Sequence, residues 1–338
     1  MTTTIKYGNS TIATAENQTK TLLTANKYVG NNIEITDVSS GGGGYTVDEI
    51  AMRTISGDIS GSATTIGNYA FYQCFALTTA DFPSVISIGG YAFAYCSALT
   101  TASFLNAISI GNYAFYDCYS LTTVNFPSVT SISSYAFCSC SALTTASFPN
   151  TTSIGYYAFA NCYSLTTASF PSCMSIGSYA LAYCSALTTA SFPNATYIGH
   201  YAFYGCRSLT IISFPSVTNI NNSAFYNCTS LTTTSFPSCI SIGTYAFAYC
   251  SSLITASFPN VISIGSSAFR NCYNLLSIYL LGSSVLTLGT SVFYSTPIGG
   301  YTTSTGGVYG SIFVPSSLYN SYLTATNWSA YSSRIVSV

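Results

Sequence analysis

The sequence predicts an α/β repeat solenoid: a right-handed coil of about ten parallel strands with short outer helical turns, a small N-terminal β module and a C-terminal cap. The main observation is a pattern that returns every 22 residues from about residue 66 to residue 293. A fixed period of this length is the mark of a solenoid, because one unit cannot bury its own apolar face. A second observation is that each periodic cysteine is followed three residues later by Leu. The ten cysteines are Cys74, Cys96, Cys118, Cys140, Cys162, Cys184, Cys206, Cys228, Cys250 and Cys272.

Within one repeat, the segment L-T-T-V-N-F over residues 121–126 alternates between apolar and polar residues. This predicts a strand that points Leu121, Val124 and Phe126 inward. Proline follows and ends the strand, because it has no N–H to donate. A Gly usually follows the next Ile, where we expect a tight bend to favour a residue without Cβ. The Tyr-Ala-Phe segment is too short for an independent helix, so it predicts one helical or 3₁₀ turn on the outer side.

The full pattern, C-x-x-L-x-x-A-x-F-P-x-V-x-x-I-G-x-Y-A-F, resembles the BspA-like bacterial leucine-rich repeat over about two-thirds of the chain. The resemblance implies a leucine-rich-repeat coil whose usual task is binding. Two features depart from the family pattern. Phe replaces the usual Leu before Pro, which implies a bulkier core, and the outward strand positions are almost uniformly Thr and Ser.

The segments on either side of the repeats are predicted from composition. Residues 1–40 carry most of the Lys and Glu and contain short alternating runs, which indicates a small β module for attachment. Gly41 to Gly44 is predicted to be a flexible linker. Residues 45–65 are predicted to form an N-terminal cap that begins with a short helix over 45–52, and the repeats run from 66 to 295.

Residues 296–338 are predicted to cap the last coil, whose apolar end would otherwise meet water. A loop precedes a strand over 311–315, and a helix is expected from Ser316 to Tyr331 with Tyr322 and Trp328 on its apolar side. This segment resembles the C-terminal caps of bacterial and phage-borne repeat proteins, which end in V-P-x-x-L-x-x-x-Y followed by N-W-x-x-Y.

Charge is scarce: 4% of residues are charged and the net charge is −1. A chain of this kind has no basic field for nucleic acid and no polybasic patch for anionic lipid. No apolar run is long enough to predict a membrane span. We therefore expect neither nucleic acid nor membrane insertion among its partners.

The cysteines predict a buried structural ladder of reduced thiols, because zinc sites need clustered thiolates of the C-x-x-C type. Cys173 and Cys239 occupy a position where other repeats place Val, and Cys138 lies in a variable position. His200 is the sole histidine, also in a variable position, so no Ser-His-Asp set can be assembled. Asp81 and Asp117 lie in different positions of different repeats, which excludes a carboxylate pair. We expect no enzyme activity, no metal and no cofactor.

Two sets of outward residues are candidate binding surfaces. The first is a hydroxyl face on the strands. Its Thr and Ser side chains either keep the exposed sheet hydrated or form a platform for a repetitive ligand such as a glycan. Its rows are somewhat similar to those of ice-binding solenoids. The face comprises Thr101, Ser103, Thr145, Ser147, Thr167, Ser169, Thr189, Ser191, Thr233, Ser235, Thr255 and Ser257.

The second set is tyrosine, a residue enriched in binding surfaces. Seven tyrosines share one position in the repeat and predict a stacked file: Tyr91, Tyr113, Tyr135, Tyr157, Tyr179, Tyr201 and Tyr245. Nine more, the flanking tyrosines, lie beside the cysteines and are predicted to form an exposed interaction face or to pack between coils: Tyr95, Tyr116, Tyr119, Tyr163, Tyr183, Tyr204, Tyr226, Tyr249 and Tyr273.

Together these patterns predict a non-catalytic repeat shaft that recognises a cell-surface protein or glycan. The N-terminus shows no apolar core of a secretory signal, and residues 19–36 resemble short modules of phage tail proteins. Both features favour a phage tail or fibre as the carrier, with the N-terminal module available for self-association. The alternatives are a secreted or cell-surface bacterial adhesin, and a fibre subunit that assembles without a ligand.

Overall fold

The structure is a computed structural model that describes residues 3–7, 10–15, 33–35, 56–60, 63–301 and 309–338. It divides into two compact units, Met1–Ser169 and Phe170–Val338. In each unit the repeats contribute parallel strands from successive turns of a coil. The predicted linker at 41–44 and the predicted helix over 45–52 lie outside the described residues.

In the first unit, each repeat contributes one short strand on each of two faces. The bounds are β1 (Thr3–Tyr7), β2 (Ser10–Ala15), β3 (Ile33–Ile35), β4 (Ser56–Ser60), β5 (Thr65–Ile66), β6 (Ala76–Asp81), β7 (Ser87–Ile88), β8 (Thr101–Ser103), β9 (Ser109–Ile110), β10 (Thr123–Asn125), β11 (Ser131–Ile132), β12 (Thr145–Ser147), β13 (Ser153–Ile154) and β14 (Thr167–Ser169). One sheet has the order β10-β8-β6-β4-β3-β1-β2. On the other face, β5, β7, β9, β11 and β13 pair in sequence order.

The second unit continues the same plan. Its strands are β15 (Ser175–Ile176), β16 (Thr189–Ser191), β17 (Tyr197–Ile198), β18 (Ile211–Ser213), β19 (Asn219–Ile220), β20 (Thr233–Ser235), β21 (Ser241–Ile242), β22 (Thr255–Ser257), β23 (Ser263–Ile264), β24 (Ser277–Tyr279), β25 (Thr287–Leu288), β26 (Ser311–Val314) and β27 (Ile335–Ser337). The pairing is parallel and in register: Thr233 lies opposite Thr255, one period later. The predicted parallel coil is therefore confirmed.

The outer segments differ from the predicted helical turn. Ala94 N–H bonds to the Tyr91 carbonyl and Cys96 N–H to the Phe93 carbonyl, but the N–H groups of Tyr91, Phe93 and Tyr95 bond to the next coil. A helix would use every N–H within itself, whereas here alternate N–H groups serve the neighbouring coil. Tyr91 and Tyr95 consequently adopt positive φ angles of 56° and 64°. Each outer segment is a pair of turns joined by left-handed residues.

Files of stacked phenylalanines fill the core. In the first unit, Phe93, Phe115 and Phe137 lie 5.1 and 5.2 Å apart with rings inclined by 2°. A second file, which includes Phe104 and Phe126, meets the first edge-on. These rings are 0–1% exposed, so the bulkier core expected from Phe at the Leu position is present.

The C-terminal cap contains broken helical pieces where one helix was predicted. The pieces are a 3₁₀ turn (Ser316–Leu318), helix α1 (Tyr319–Thr324) and a second 3₁₀ segment (Ser329–Arg334). The break falls where Ala325 is extended and Asn327 is left-handed at φ 65°. It turns Trp328 into the core, where the ring is fully buried and Nε1 donates to the Leu286 carbonyl at 3.0 Å.

At the other end, β1 pairs with β2 and β3 in antiparallel fashion, and β3 pairs with β4 in parallel. The function of residues 1–40 as an attachment module stays a prediction. In the described part of the chain, no helix combines the length and the apolar character that crossing a membrane would require.

Candidate binding surfaces

The hydroxyl face lies on the three-residue strands. In β8, Thr101 and Ser103 are half-buried and point outward, while Ala102 between them is fully buried. Thr123 and Asn125 continue the two rows in the next coil. In the second unit, Ile211 takes a Thr position and is 63% exposed, which interrupts the row. The face therefore offers short runs of hydroxyls, not one unbroken lattice.

The tyrosine file of the first unit comprises Tyr69, Tyr91, Tyr113, Tyr135 and Tyr157. Successive ring centroids are 4.9, 4.6, 4.5 and 5.1 Å apart, and the rings are nearly parallel. Because each ring covers its neighbour's face, the file presents ring edges and hydroxyls. Burial, followed by the neighbouring phenols, raises the pKa of Tyr135 to about 12. Its hydroxyl thus stays neutral and able to donate at physiological pH.

In the second unit the file is shorter. Tyr179 and Tyr201 stack at 4.5 Å. Ser223 takes the next position, so Tyr245 does not continue the stack from Tyr201.

The flanking tyrosines occupy three positions around the cysteines. Those one or two residues before Cys contact each other between adjacent coils: Tyr95 and Tyr116 meet edge-on at 5.4 Å, as do Tyr183 and Tyr204 at 5.1 Å. Tyr226 stacks on Tyr204 at 5.0 Å and lies at the same distance from Tyr249. The three that follow Cys are the most exposed class, at 45–52%: Tyr119, Tyr163 and Tyr273.

Asp117 lies among the flanking tyrosines of the first unit. It is half-buried and left-handed at φ 56°. Burial raises the pKa of its carboxyl, and hydrogen bonds from Ser139 and Tyr119 oppose that shift. Asp81, by contrast, is exposed. The two acids do not form a pair.

A shallow groove, which the sequence prediction missed, lies beside the tyrosine file. Its lining includes Gly89, Gly90 and Gly111 together with Tyr69 and Tyr91. The remaining lining is Asn68, Ser87, Ile88, Ser109, Ile110, Asn112 and Ser133. The sequence feature that could have indicated this groove is Gly90, because the other coils carry Asn, Ser, Tyr, His or Thr at the equivalent position.

The cysteine ladder lies in the interior, and all ten members are fully buried. The thiols also act as donors: Sγ of Cys96 lies 3.0 Å from the Phe71 carbonyl, and Sγ of Cys228 lies 3.3 Å from the Phe203 carbonyl. Burial raises the pKa of the Cys228 thiol well above its ordinary value. Cys173 and Cys239 are buried, and Cys138 is 4% exposed.

The remaining reactive side chains are dispersed. His200 is exposed. Among the described residues, no three His, Cys, Asp or Glu side chains come together in a way that could hold a metal ion.

Comparison with known proteins supports the repeat assignment. A family model described as "BspA type Leucine rich repeat region (6 copies)" matches residues 64–188 and 174–298. A leucine-rich repeat protein from Bacteroides ovatus is 22% identical, with a TM-score of 0.53 and coverage of 90% of this chain and 95% of that chain. A leucine rich cell surface protein from Faecalibacterium prausnitzii is 24% identical, with a TM-score of 0.45 and coverage of 77% and 90%. A search of curated proteins gave no match.

Proposed function

This chain belongs to the BspA type leucine-rich repeat family, and we propose that it is a non-catalytic recognition protein that binds a cell-surface protein or glycan. The supporting observation is the repetition of neutral hydrogen-bonding side chains, best developed in the tyrosine file, where Tyr69 is exposed and the following rings are half-buried. Tyrosine offers contact area and a polar tip at low entropic cost, which suits a binding surface. The scarcity of charge directs recognition towards neutral partners.

Binding of the fluorescently labelled full chain to intact bacterial and animal cells tests the proposal. The expected result is saturable binding that unlabelled chain displaces. Absence of binding to every cell type, combined with concentration-dependent filaments in electron micrographs, would contradict recognition and favour a fibre subunit.

We further propose a phage tail as the carrier, supported by the resemblance of residues 19–36 to tail-associated modules; a bacterial adhesin is the alternative. In either case the N-terminal residues attach the protein and the repeats face the target. Tail and lysis genes beside the coding sequence are expected, whereas a sortase or secretion operon there would contradict the phage carrier.

A further inference from the structure

The groove of the first unit has a notch that other coils lack. Gly90 lies between Asn68 and Asn112, the equivalent residues one period before and after it. A Cβ at Gly90 would come within 3.3 Å of the Asn112 carbonyl and 3.6 Å of Asn68 Oδ1, which is close but tolerable. Elsewhere this position carries a side chain, for example Ser134. Glycine at this one place therefore leaves space between the Asn68 carboxamide and the Asn112 backbone carbonyl.

Backbone hydrogen bonds orient the carboxamides of Asn68 and Asn112. Asn68 Oδ1 accepts the N–H of Gly90 at 2.7 Å, and Asn112 Oδ1 accepts the N–H of Ser134 at 3.0 Å. Each oxygen is thus occupied by the coil that follows. Within the described residues, neither Nδ2 group has a protein acceptor, so both remain donors at the groove.

The rest of the lining defines what can bind. It contains no Lys, Arg, His, Asp or Glu, and burial raises the pKa of Tyr91, so its phenol stays protonated. Hydroxyls of Ser87 and Ser109 lie 3.3 Å apart in the lining. Such a lining combines uncharged donors and acceptors with the apolar faces of Tyr69 and Tyr91, which suits a neutral, hydroxyl-rich molecule with apolar C–H faces better than an ion.

A peptide added as an extra strand fits this groove poorly. The N–H groups of Gly89 and Gly111 already bond to the carbonyls of Ile66 and Ile88 in the preceding coils. The groove therefore offers no free strand edge of the kind that β-augmentation requires. From Asn68 to Asn112 the groove spans two coil spacings, about 10 Å, which is the length of a short stretch of sugar chain.

We propose that the groove around Gly90 binds a neutral oligosaccharide, with the Nδ2 groups of Asn68 and Asn112, both in the groove lining, donating to its hydroxyls. This inference rests on the proposed recognition function and identifies a ligand class and a site for it.

Variants of the full chain separate the groove from the fold. Gly90→Ser fills the notch with a side chain that the equivalent position accepts at Ser134. The pair Asn68→Asp with Asn112→Asp keeps the oxygen acceptors for the backbone and removes the Nδ2 donors. The matched control is Asn222→Asp, because Asn222 Oδ1 accepts the Thr244 N–H at 3.0 Å outside the groove.

The probes are maltohexaose, cellohexaose and chitohexaose, with polygalacturonate as the charged comparison, measured by saturation-transfer NMR and calorimetry. We expect at least one neutral hexasaccharide to bind, with affinity reduced tenfold or more in Gly90→Ser and in the Asn68/Asn112 double variant and unchanged in Asn222→Asp. Thermal melts establish that each variant is folded. The inference is overturned if no neutral hexasaccharide binds, if polygalacturonate binds in preference, or if the groove variants bind as wild type.

Cell binding keeps this test separate from the proposed function. If no neutral hexasaccharide binds but wild type binds cells, the groove inference fails and recognition by another face stands. If the hexasaccharide binds but no cell does, the groove stands and cell-surface recognition fails.

Discussion

Replacing Thr234 with Val should stabilise the protein. Thr234 lies in the middle of β20, opposite Ile212 and Ala256 in the neighbouring coils, and is 5% exposed. Other coils place Ala, Val or Ile at this inward position. The Thr234 hydroxyl is buried and, among the described residues, has no hydrogen-bond partner. Val keeps the branched shape and removes only the polar atom.

The size of the effect follows from the cost of an unpaired polar group. A buried hydroxyl without a partner costs roughly 1–3 kcal/mol in proteins. Since Val fills the same space, we expect the free energy of unfolding to rise by about 1–3 kcal/mol. For a unit of this size, each kcal/mol raises Tm by about 2–4 °C.

Guanidinium denaturation followed by circular dichroism measures the change, with thermal melts as a second probe. Thr234→Ser keeps the hydroxyl and loses a methyl group, so it should destabilise. Thr233→Val alters the exposed neighbour on the same strand and should change stability by less than about 0.5 kcal/mol. If Thr234→Val were neutral or destabilising while Thr233→Val was neutral, the assignment of an unpaired hydroxyl would be refuted.

Two further predictions concern the first unit. Gly111→Ala should lower the free energy of unfolding by more than about 2 kcal/mol, because its Cβ would lie 2.6 Å from the Gly89 backbone. The control Gly90→Ala places a Cβ no closer than 3.3 Å to any neighbour, so its effect should be mild. Chemical denaturation of both variants checks this, and equal effects would contradict it. Asp117→Asn should be more stable than wild type at neutral pH and lose that advantage below the ordinary carboxyl pKa of 3.8. The sign follows because the pKa of Asp117 is raised in the folded protein, so its protonated form contributes stability at low pH that is lost as pH rises through that pKa. Thermal melts of both proteins across the pH range test this prediction. A stability advantage of Asp117→Asn that grew at low pH would refute it.

The sequence was sufficient to predict the coil because the period constrains every buried position at once. Leu121 and Phe126 must face inward together in each repeat, and the structure places both inside. The left-handed tyrosines were not predictable in this way. Propensity disfavours a positive φ for Tyr91, and only the hydrogen bonds to the next coil make that conformation favourable.

Glycine was predicted at the right positions for the wrong reason. A bend was expected, but a Cβ at Gly89 or Gly111 would instead collide with the backbone of the preceding coil. Contacts between coils cannot be deduced from one repeat considered alone. The broken C-terminal helix has a similar origin, because Asn327 Nδ2 and Trp328 Nε1 both donate to carbonyls of the last repeat.

The cysteine ladder illustrates how one residue type serves two requirements. A small apolar side chain satisfies packing, yet Ala or Val would also do so. Ladder thiols such as Cys96 and Cys228 additionally donate to a carbonyl of the preceding coil, Cys96 to Phe71 and Cys228 to Phe203. The Phe203 carbonyl also accepts the Cys206 N–H, so losing the thiol bond should cost about 0.5–1.5 kcal/mol and no more. Cys228→Val should therefore destabilise by about 1 kcal/mol. Cys239→Val also removes a thiol bond, the one from Sγ to the Ser241 carbonyl at 3.3 Å, but should cost less because Val217 and Val261 occupy the equivalent position in adjacent repeats. Equal effects of the two substitutions in denaturation experiments would contradict a specific requirement for a thiol at the ladder position.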